Sequence, residues 1–296
     1  MTANSNHRRP IKEFVWLILS RTLPSKIYLS LKYRVLFHKR LSWNSPKAFT
    51  EKLQWLKIND FRPEYVEMVD KVKAKSWVAE RIGSDYVIPL LGVWDSADDI
   101  DFAALPEKFV LKCNHDSGTA VVCKSKADLD FDKTRKTLDK AMNRDYYYMG
   151  RERPYRYVKR RIFAEQMLED DNTRELLDYK FFCFDGVPRV FKINFDKETD
   201  FHANYYDMDM NLLPFGEVWP PPALRDFSKP ANFDIMIKIV KVLSEGLPFV
   251  RVDLYNINGK IYFGEMTLYP TSGFGPFNDY NWDLKLGEWL VLPSKR

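Results

Sequence analysis

Cysteine and histidine are scarce in this 296-residue chain. The three cysteines, Cys113, Cys123 and Cys183, are odd in number and show no CxxC spacing. That excludes a disulfide framework and a thiolate zinc site, and describes reduced, partly buried thiols of a cytosolic protein. The four histidines are scattered and suggest no metal cluster. An apolar run long enough to cross a bilayer is also missing from the N-terminal region. FVWLILS at 14–20 is too short, and Arg21 follows it where a secretory signal would need small residues. Internal repeats and low-complexity tracts are absent.

What is present describes an ordered protein, with 45% hydrophobic and 15% aromatic residues, long enough for two or three packed lobes. The net charge of +5 hides a gradient. Residues 1–40 hold nine Lys or Arg against Glu13 alone, so this arm is +8 and the other 256 residues are −3. A body that acidic argues against general nucleic-acid binding. The arm has two readings, an amphipathic helix lying on anionic membrane or a helix docked on the protein's own core. On the first, removing residues 1–22 spares turnover of soluble substrates; on the second it destabilises the fold.

Along the chain, 46–58 (PKAFTEKLQWLKI) spaces Phe49, Leu53 and Leu56 as a helix capped by Thr50. One further helix is expected over 63–81, striped by Tyr65, Val66, Val69, Val72 and Trp77 and stopped by Gly83. YVIPLLGVW (86–94) reads as a buried strand interrupted at Pro89. FVLKCNH (109–115) and AVVCK (120–124) form a hairpin around Asp116-Ser117-Gly118-Thr119, followed by a basic helix over 133–143. The Tyr- and Arg-rich stretch 145–161 has no clean period and reads as a long loop. A strand over 161–168 leads into an acidic turn at 169–172, and strands 178–186 and 188–195 make a second hairpin. Residues 196–230 look like an irregular excursion walling a pocket, and a helix over 232–245 ends at Gly246.

The segment RVDLYNINGKIYFGEMT, 251–267, carries the most chemistry. Arg251 and Asp253 share one strand face, and Glu265 and Thr267 share one on the return strand. A three-residue loop Ile257-Asn258-Gly259 brings the two sets together, with Arg251 opposite Glu265; a two-residue Asn258-Gly259 turn separates them. Two carboxylates beside an arginine fit either Mg²⁺ with phosphates or a cross-strand salt bridge.

Taken in order, these parts resemble the ATP-grasp enzymes. Asp70-Lys71 opens VDKVKAKSWVAERIG, Lys112 precedes the small-residue loop HDSGTAVV, and RVD, GEMT and YPTSG follow in sequence. More narrowly, PKAFTEKLQWLK, LKCNHDSG, DYKFFCFDG and RVDLYNINGKIYFGE resemble the TupA-like ATP-grasp family of cell-surface polysaccharide gene clusters, over about 41–292. Thr267 stands where that pattern often has Asn.

The resemblance implies an α+β ATP-grasp fold, two α+β lobes clasping ATP, with a helical basic N-terminal extension. Its units are 1–45 (extension), 46–105 (small α/β region), 106–168 (lobe with the glycine loop) and 169–296 (lobe with the metal hairpin). It implies ATP and Mg²⁺ as cofactors and ADP-forming carboxylate–amine ligation through an acyl phosphate. It also implies a uronic acid and an amino acid as substrates, free or polymer-linked. Lys71 and Lys112 are implied at the phosphates, with the backbone of Ser117, Gly118 and Thr119. Glu165, Gln166 and Leu168 are implied along the adenine edge, Asp178 at the ribose, Lys180 at a phosphate, and Asp253 and Glu265 on the metal. Arg251, with Lys112, is implied in catalysis. The location that goes with these is cytoplasmic, with possible peripheral membrane contact through 1–40. Two other readings remain: a glycosyltransferase using Asp207-Met208-Asp209, and a non-enzymatic nucleotide-binding scaffold.

Overall fold

A computed structural model describes residues 8–170, 176–196, 199–223, 225 and 227–294, with side chains from residue 15 onward. Two antiparallel sheets, each with its own helices, make an α+β fold. The smaller sheet has the order β1-β4-β2-β3, from β1 (Leu90–Trp94), β2 (Phe109–Cys113), β3 (Ala120–Cys123) and β4 (Ile162–Gln166). Phe109, Leu111 and Cys113 alternate inward along β2 and meet Ile100, Phe102, Leu105 and Leu138 of α6 (Phe131–Met142). The β2–β3 hairpin is the one expected. β1 is not the buried strand expected over 86–94, because it lies at the sheet edge with Leu90, Leu91 and Val93 exposed. An apolar run does not reveal whether a strand has one neighbour or two.

The larger sheet runs β7-β6-β5-β8-β9, with β5 (Asp178–Phe184), β6 (Val187–Phe195), β7 (His202–Asp207), β8 (Phe249–Ile257) and β9 (Lys260–Thr267). β7 falls inside the stretch 196–230 expected to be irregular. α8 (Phe233–Ser244) covers one face, its Phe233 ring against Phe181 and Phe191. The other face packs Phe182, Phe184 and Phe249 on Phe49 of α3 (Phe49–Asn59). Farther along β5 and β8 that face turns polar, with Lys180 opposite Asp253 and Asp178 opposite Tyr255.

Three local expectations change. Thr50 is not the cap of α3 but lies within it, giving its hydroxyl and its N–H to Asp283 at 2.6 and 2.9 Å. The helix over 63–81 is two, α4 (Glu64–Val69) and α5 (Lys73–Ile82). Between them the Asp70 carboxylate accepts from the Val72 and Lys73 N–H groups at 3.0 and 3.3 Å and from Asn114 Nδ2 at 2.9 Å. An aspartate that captures its own backbone breaks the helix there. The loop over 145–161 contains α7 (Tyr146–Gly150) and a 3-10 turn at Arg153–Tyr157. Of the acidic turn at 169–172, residues 171 and 172 lie outside the described residues.

The β8–β9 hairpin overturns the expected three-residue loop. Ile257 pairs with Lys260 around a two-residue turn in which Asn258 (φ 51°) and Gly259 (φ 78°) are both left-handed. That turn alone would separate the carboxylates. A β-bulge restores them: Leu254 pairs with Phe263 but Asp253 with Glu265, leaving Gly264 as the extra residue. Arg251 consequently faces Thr267 rather than Glu265.

The N-terminal arm is α1 (Arg8–Thr22) and α2 (Ser25–Phe37). Trp16, Leu19 and Leu23 pack toward Tyr28, Leu29, Tyr33, Leu41 and Phe274, so the arm is docked by one face. The Phe14 side chain lies outside those described. Val15, Leu17, Ile18, Ile27, Leu31, Val35 and Leu36 remain exposed. Because Arg151 donates to the Leu23 carbonyl at 2.9 Å and also to that of Ser20, removing 1–22 strips a strut from the body. The expectation that such a truncation spares the enzyme is withdrawn on that ground. Among the described residues no helix is long and apolar enough to cross a membrane.

A side chain at position 264 would start 3.1 Å from the Asp253 carbonyl oxygen and from the Tyr255 ring. Gly264→Val is therefore expected to destabilise the protein by about 1–3 kcal/mol in urea unfolding, as overpacking does. Unchanged stability would show the bulge to be uncrowded.

Candidate active site

The polar face of the larger sheet gathers charge from three strands. On β8 the Arg251 guanidinium forks onto Asp253, Nε to Oδ1 at 2.6 Å and Nη2 to Oδ2 at 2.7 Å. Nη2 also reaches Glu265 Oε1 at 2.7 Å and Thr267 Oγ1 at 3.0 Å on β9. On β5 the Lys180 ammonium contacts Asp253 and lies 3.2 Å from Asp178. Burial pushes Asp253 upward while Arg251 and Lys180 oppose it, and the bidentate fork is the geometry of an ionised carboxylate. Burial would raise Glu265 too, but Arg251, Lys71 and Lys180 override it and hold this carboxyl at about 2. The same carboxylates lift Lys180 against the effect of its burial.

The smaller sheet and the break between α4 and α5 carry a second set of charges. Lys71 sits in the break between α4 and α5, its N–H on the Asn114 carbonyl at 3.1 Å and its ammonium on the Asp116 carbonyl at 2.6 Å. Its charge also reaches Glu265. Ser117 and Gly118 (φ 92°) are exposed at that tip, and Thr119 donates to Asp116 Oδ2 at 2.6 Å. Lys112 leaves β2 to pair with Glu165 of β4. The other Glu165 oxygen takes Lys75 at 2.9 Å, and Lys75 also donates to the Ile88 carbonyl at 2.8 Å. Those two cations hold Glu165 below the usual carboxylate range even though burial raises it. Gln166 is exposed with its N–H on the Pro89 carbonyl at 3.1 Å, and Leu168 is half-buried beyond the strand end.

Two site residues escaped the sequence reading. Lys75 is buried on the inner face of α5, three residues after Val72 and three before Val78, and a lysine on an apolar stripe was the available signal. Asn114 is buried and fastens the hairpin base to Asp70, to the Lys159 carbonyl at 2.9 Å and to the Arg161 N–H at 2.7 Å. No local pattern marks it, because its partners are 44 to 47 residues away.

A third wall comes from α7 and the turn after it. Glu152 is buried, takes the Ser272 hydroxyl, and lies within electrostatic reach of Lys57 and Glu265. The Lys57 ammonium donates to Gln54 Oε1 at 2.9 Å and to the Gly150 and Ser272 carbonyls, both at 2.6 Å. Burial presses its pKa down to about 7. His115 is buried too, and burial pushes its imidazole toward the neutral form. Asp207 of the Asp-x-Asp sequence accepts from the Asp209 and Asn211 N–H groups at 3.0 and 2.8 Å, which makes that motif a turn.

The donor set suits Mg²⁺ bound with phosphates. Asp178, Asp253 and Glu265 against Lys180 and Arg251 leave one negative charge. Mg²⁺ takes one or two carboxylates and completes its shell with phosphate and water. Among the described residues no group of three or more His, Cys, Asp or Glu side chains could hold a metal by itself. Thr267, hydrogen-bonded to Glu265 at 3.1 Å and to Arg251, orients that carboxylate.

The family model described as TupA-like ATPgrasp matches residues 51–291. No curated protein matches the chain in sequence. Among solved structures, D-alanine–D-alanine ligase from Helicobacter pylori is 14% identical, with 82% of this chain and 69% of that one covered and a TM-score of 0.43. D-cycloserine synthetase DcsG is 16% identical, with 77% and 71% covered and a TM-score of 0.41. The ATP-grasp ligase PsnB complexed with minimal precursor is 14% identical, with 89% and 64% covered and a TM-score of 0.39.

The low value at Glu265 has a pH consequence. Its folded pKa of about 2 lies below the ordinary 4.5, so its stabilisation is complete above pH 4.5 and is lost as pH falls toward 2. Between those pH values the wild type is expected to lose stability more steeply than Glu265→Gln, which has no proton to take up. Parallel acid-unfolding curves would remove Glu265 from this account.

Proposed function

We propose, from the premise that the chain belongs to the TupA-like ATP-grasp family, that this ligase joins the carboxyl of a uronic acid to the amine of an amino acid in cell-surface polysaccharide biosynthesis. The observation that carries this reading is the Arg251–Asp253–Glu265 cluster with Lys180, together with Lys71, which holds the Asp116 carbonyl at the glycine-tipped hairpin and lies within electrostatic reach of Glu265.

Each residue then has a task. Lys71, Lys112 and Lys180 neutralise the phosphates of ATP, and backbone N–H groups of Ser117, Gly118 and Thr119 cradle them where glycine admits close approach. The main chain at Glu165, Gln166 and Leu168 lies along the adenine edge, and Asp178 accepts from a ribose hydroxyl. Asp253 and Glu265 would hold Mg²⁺, which would supply charge neutralisation for the phosphates. A uronate oxygen attacks the γ-phosphorus, giving an acyl phosphate and ADP. The neutral amine then attacks the acyl carbon, the C–O bond to phosphate breaks, and the amide forms as inorganic phosphate leaves with the proton the nitrogen gives up. Arg251 steadies negative charge as it develops in both steps. The enzyme contributes no covalent nucleophile, in keeping with three buried cysteines.

The exposed apolar face of α1 and α2 supports a place at the inner membrane surface, where lipid-linked sugar intermediates are assembled. Ile27, Leu31 and Val35 lie one turn apart, and Arg21, Lys26, Arg34, Lys39 and Arg40 are exposed around them. Each such cation is worth about 1 kcal/mol near an anionic surface and is screened by salt.

Two measurements test these readings. ADP release with magnesium should appear for some pair in a panel of uronic acids and amino acids, without release of UDP from nucleotide sugars. Glu265→Gln should fold and lose about two to three orders of magnitude of that turnover, as loss of a key electrostatic contact does; wild-type turnover would remove the site. For location, the full chain should bind phosphatidylserine vesicles in a salt-sensitive way, and Ile27→Ser with Leu31→Ser should abolish binding while ADP release persists. Indifference of the wild type to vesicles would end the membrane reading.

A further inference from the structure

The stretch 144–161 stands apart electrostatically. It holds Arg144, Arg151, Arg153, Arg156, Lys159, Arg160 and Arg161 against Asp145 and Glu152, a net +5. Set beside the +8 arm, it leaves the rest of the chain at −8. Four of these cations have acidic partners: Arg144 with Asp116, Lys159 and Arg161 with Asp95, and Arg160 with Asp145. Arg151 is buried and engaged with the arm.

Arg153 and Arg156 differ. Both are exposed, and among the described residues neither pairs with a carboxylate; each lies over an aromatic ring instead. The Arg153 guanidinium is 4.2 Å from the Phe61 centroid, and Phe61 packs at 5.4 Å against Tyr157, which is 53% exposed. Arg156 is 5.6 Å from Tyr147, Tyr147 is 5.2 Å from Tyr148, and Arg21 is 5.6 Å from Tyr148. Guanidinium groups thus pair with aromatic rings in two groups, Arg153 with Phe61 and Tyr157, and Arg156 and Arg21 with Tyr147 and Tyr148. An arginine laid on a ring keeps its in-plane N–H edge for a carboxylate, where a bidentate pair forms.

The same stretch borders the reaction centre. Glu152 takes the Ser272 hydroxyl, and Tyr146 and Tyr155 lie within electrostatic reach of Glu265.

We propose that Arg153, Arg156, Tyr157, Phe61 and Tyr147 form a binding platform for an anionic carbohydrate polymer, so that the acceptor arrives as a carboxylate-bearing sugar chain rather than a free sugar. This rests on the uronic acid reading given above. Ring faces cover the apolar C–H faces of the pyranose units, and the guanidinium edges take successive carboxylates. A stretch with this charge in an otherwise acidic body selects a polyanion, and the tyrosines favour sugar rings over bare anions.

The test compares a fluorescent oligogalacturonate, a neutral galactose oligomer of equal length and a single-stranded oligonucleotide of equal charge, using the full chain. The oligogalacturonate should bind at least about tenfold more tightly than either, since a charge-assisted hydrogen bond is worth roughly that factor. Its binding should weaken with salt, and Arg153→Gln with Arg156→Gln should reduce it about tenfold or more by the same measure. In that variant KM for an oligomeric acceptor should rise while KM for a single uronic acid and the thermal midpoint stay as in wild type. Equal binding of the neutral oligomer, tighter binding of the oligonucleotide, or an unaffected double variant would overturn the platform. If no uronic acid of any length supports ADP release, the functional reading fails; polymer binding, measured without ATP, reports on the platform separately.

Discussion

A carboxylate inside a protein is tolerable only beside a cation, and the polar face of the larger sheet is arranged by that requirement. Asp253 is almost wholly buried, and Arg251 and Lys180 together neutralise it. Removing one partner of such a pair typically costs about 3–5 kcal/mol because the other charge is stranded. The cluster is therefore self-consistent as it stands and also close to balance. Glu165 with Lys75 and Lys112 repeats the device in the smaller sheet.

The α7 segment is tied in by hydrogen bonds from several elements. Tyr28 and Lys32 of the arm donate to the Met149 carbonyl at 3.1 and 2.8 Å, Lys57 holds the Gly150 carbonyl, and Arg151 reaches back to Leu23. On its far side Glu152 grips Ser272, which with Thr271 adopts left-handed backbone at φ 54° and 51°. Non-glycine residues persist there only when neighbours over-determine them, at about 1–3 kcal/mol each. Gln54 and Lys57 supply that constraint through the Ser272 carbonyl. Helix α2, α3, the tyrosine wall and the 270–273 turn are thus one mechanical unit.

Much of this was legible from residues alone. The hairpins of 109–124 and 178–195, helix α8, the Arg-x-Asp strand and the small-residue tip all follow from alternation and turn chemistry. Asn258-Gly259 was legible as a turn, but its length was not, because the bulge that compensates lies at Gly264, five residues farther on. Thr50 read as a cap because its true partner, Asp283, is 233 residues away. The break at Asp70 was hidden for the same reason, since Asn114 helps to hold it open. Local pattern speaks for local partners, and the misses at Thr50 and Asp70 involve distant ones.

The bulge also sets a rule for comparing sequences. Asp253 and Glu265 share a face when the turn holds two residues and the return strand one extra, or when the turn holds three and the strand none. An insertion at the turn and the disappearance of the bulge should therefore travel together, and so should their reversals. In an alignment each would look like an unremarkable one-residue gap. Their joint parity, rather than either gap, records whether a relative keeps its two carboxylates on one side of the sheet.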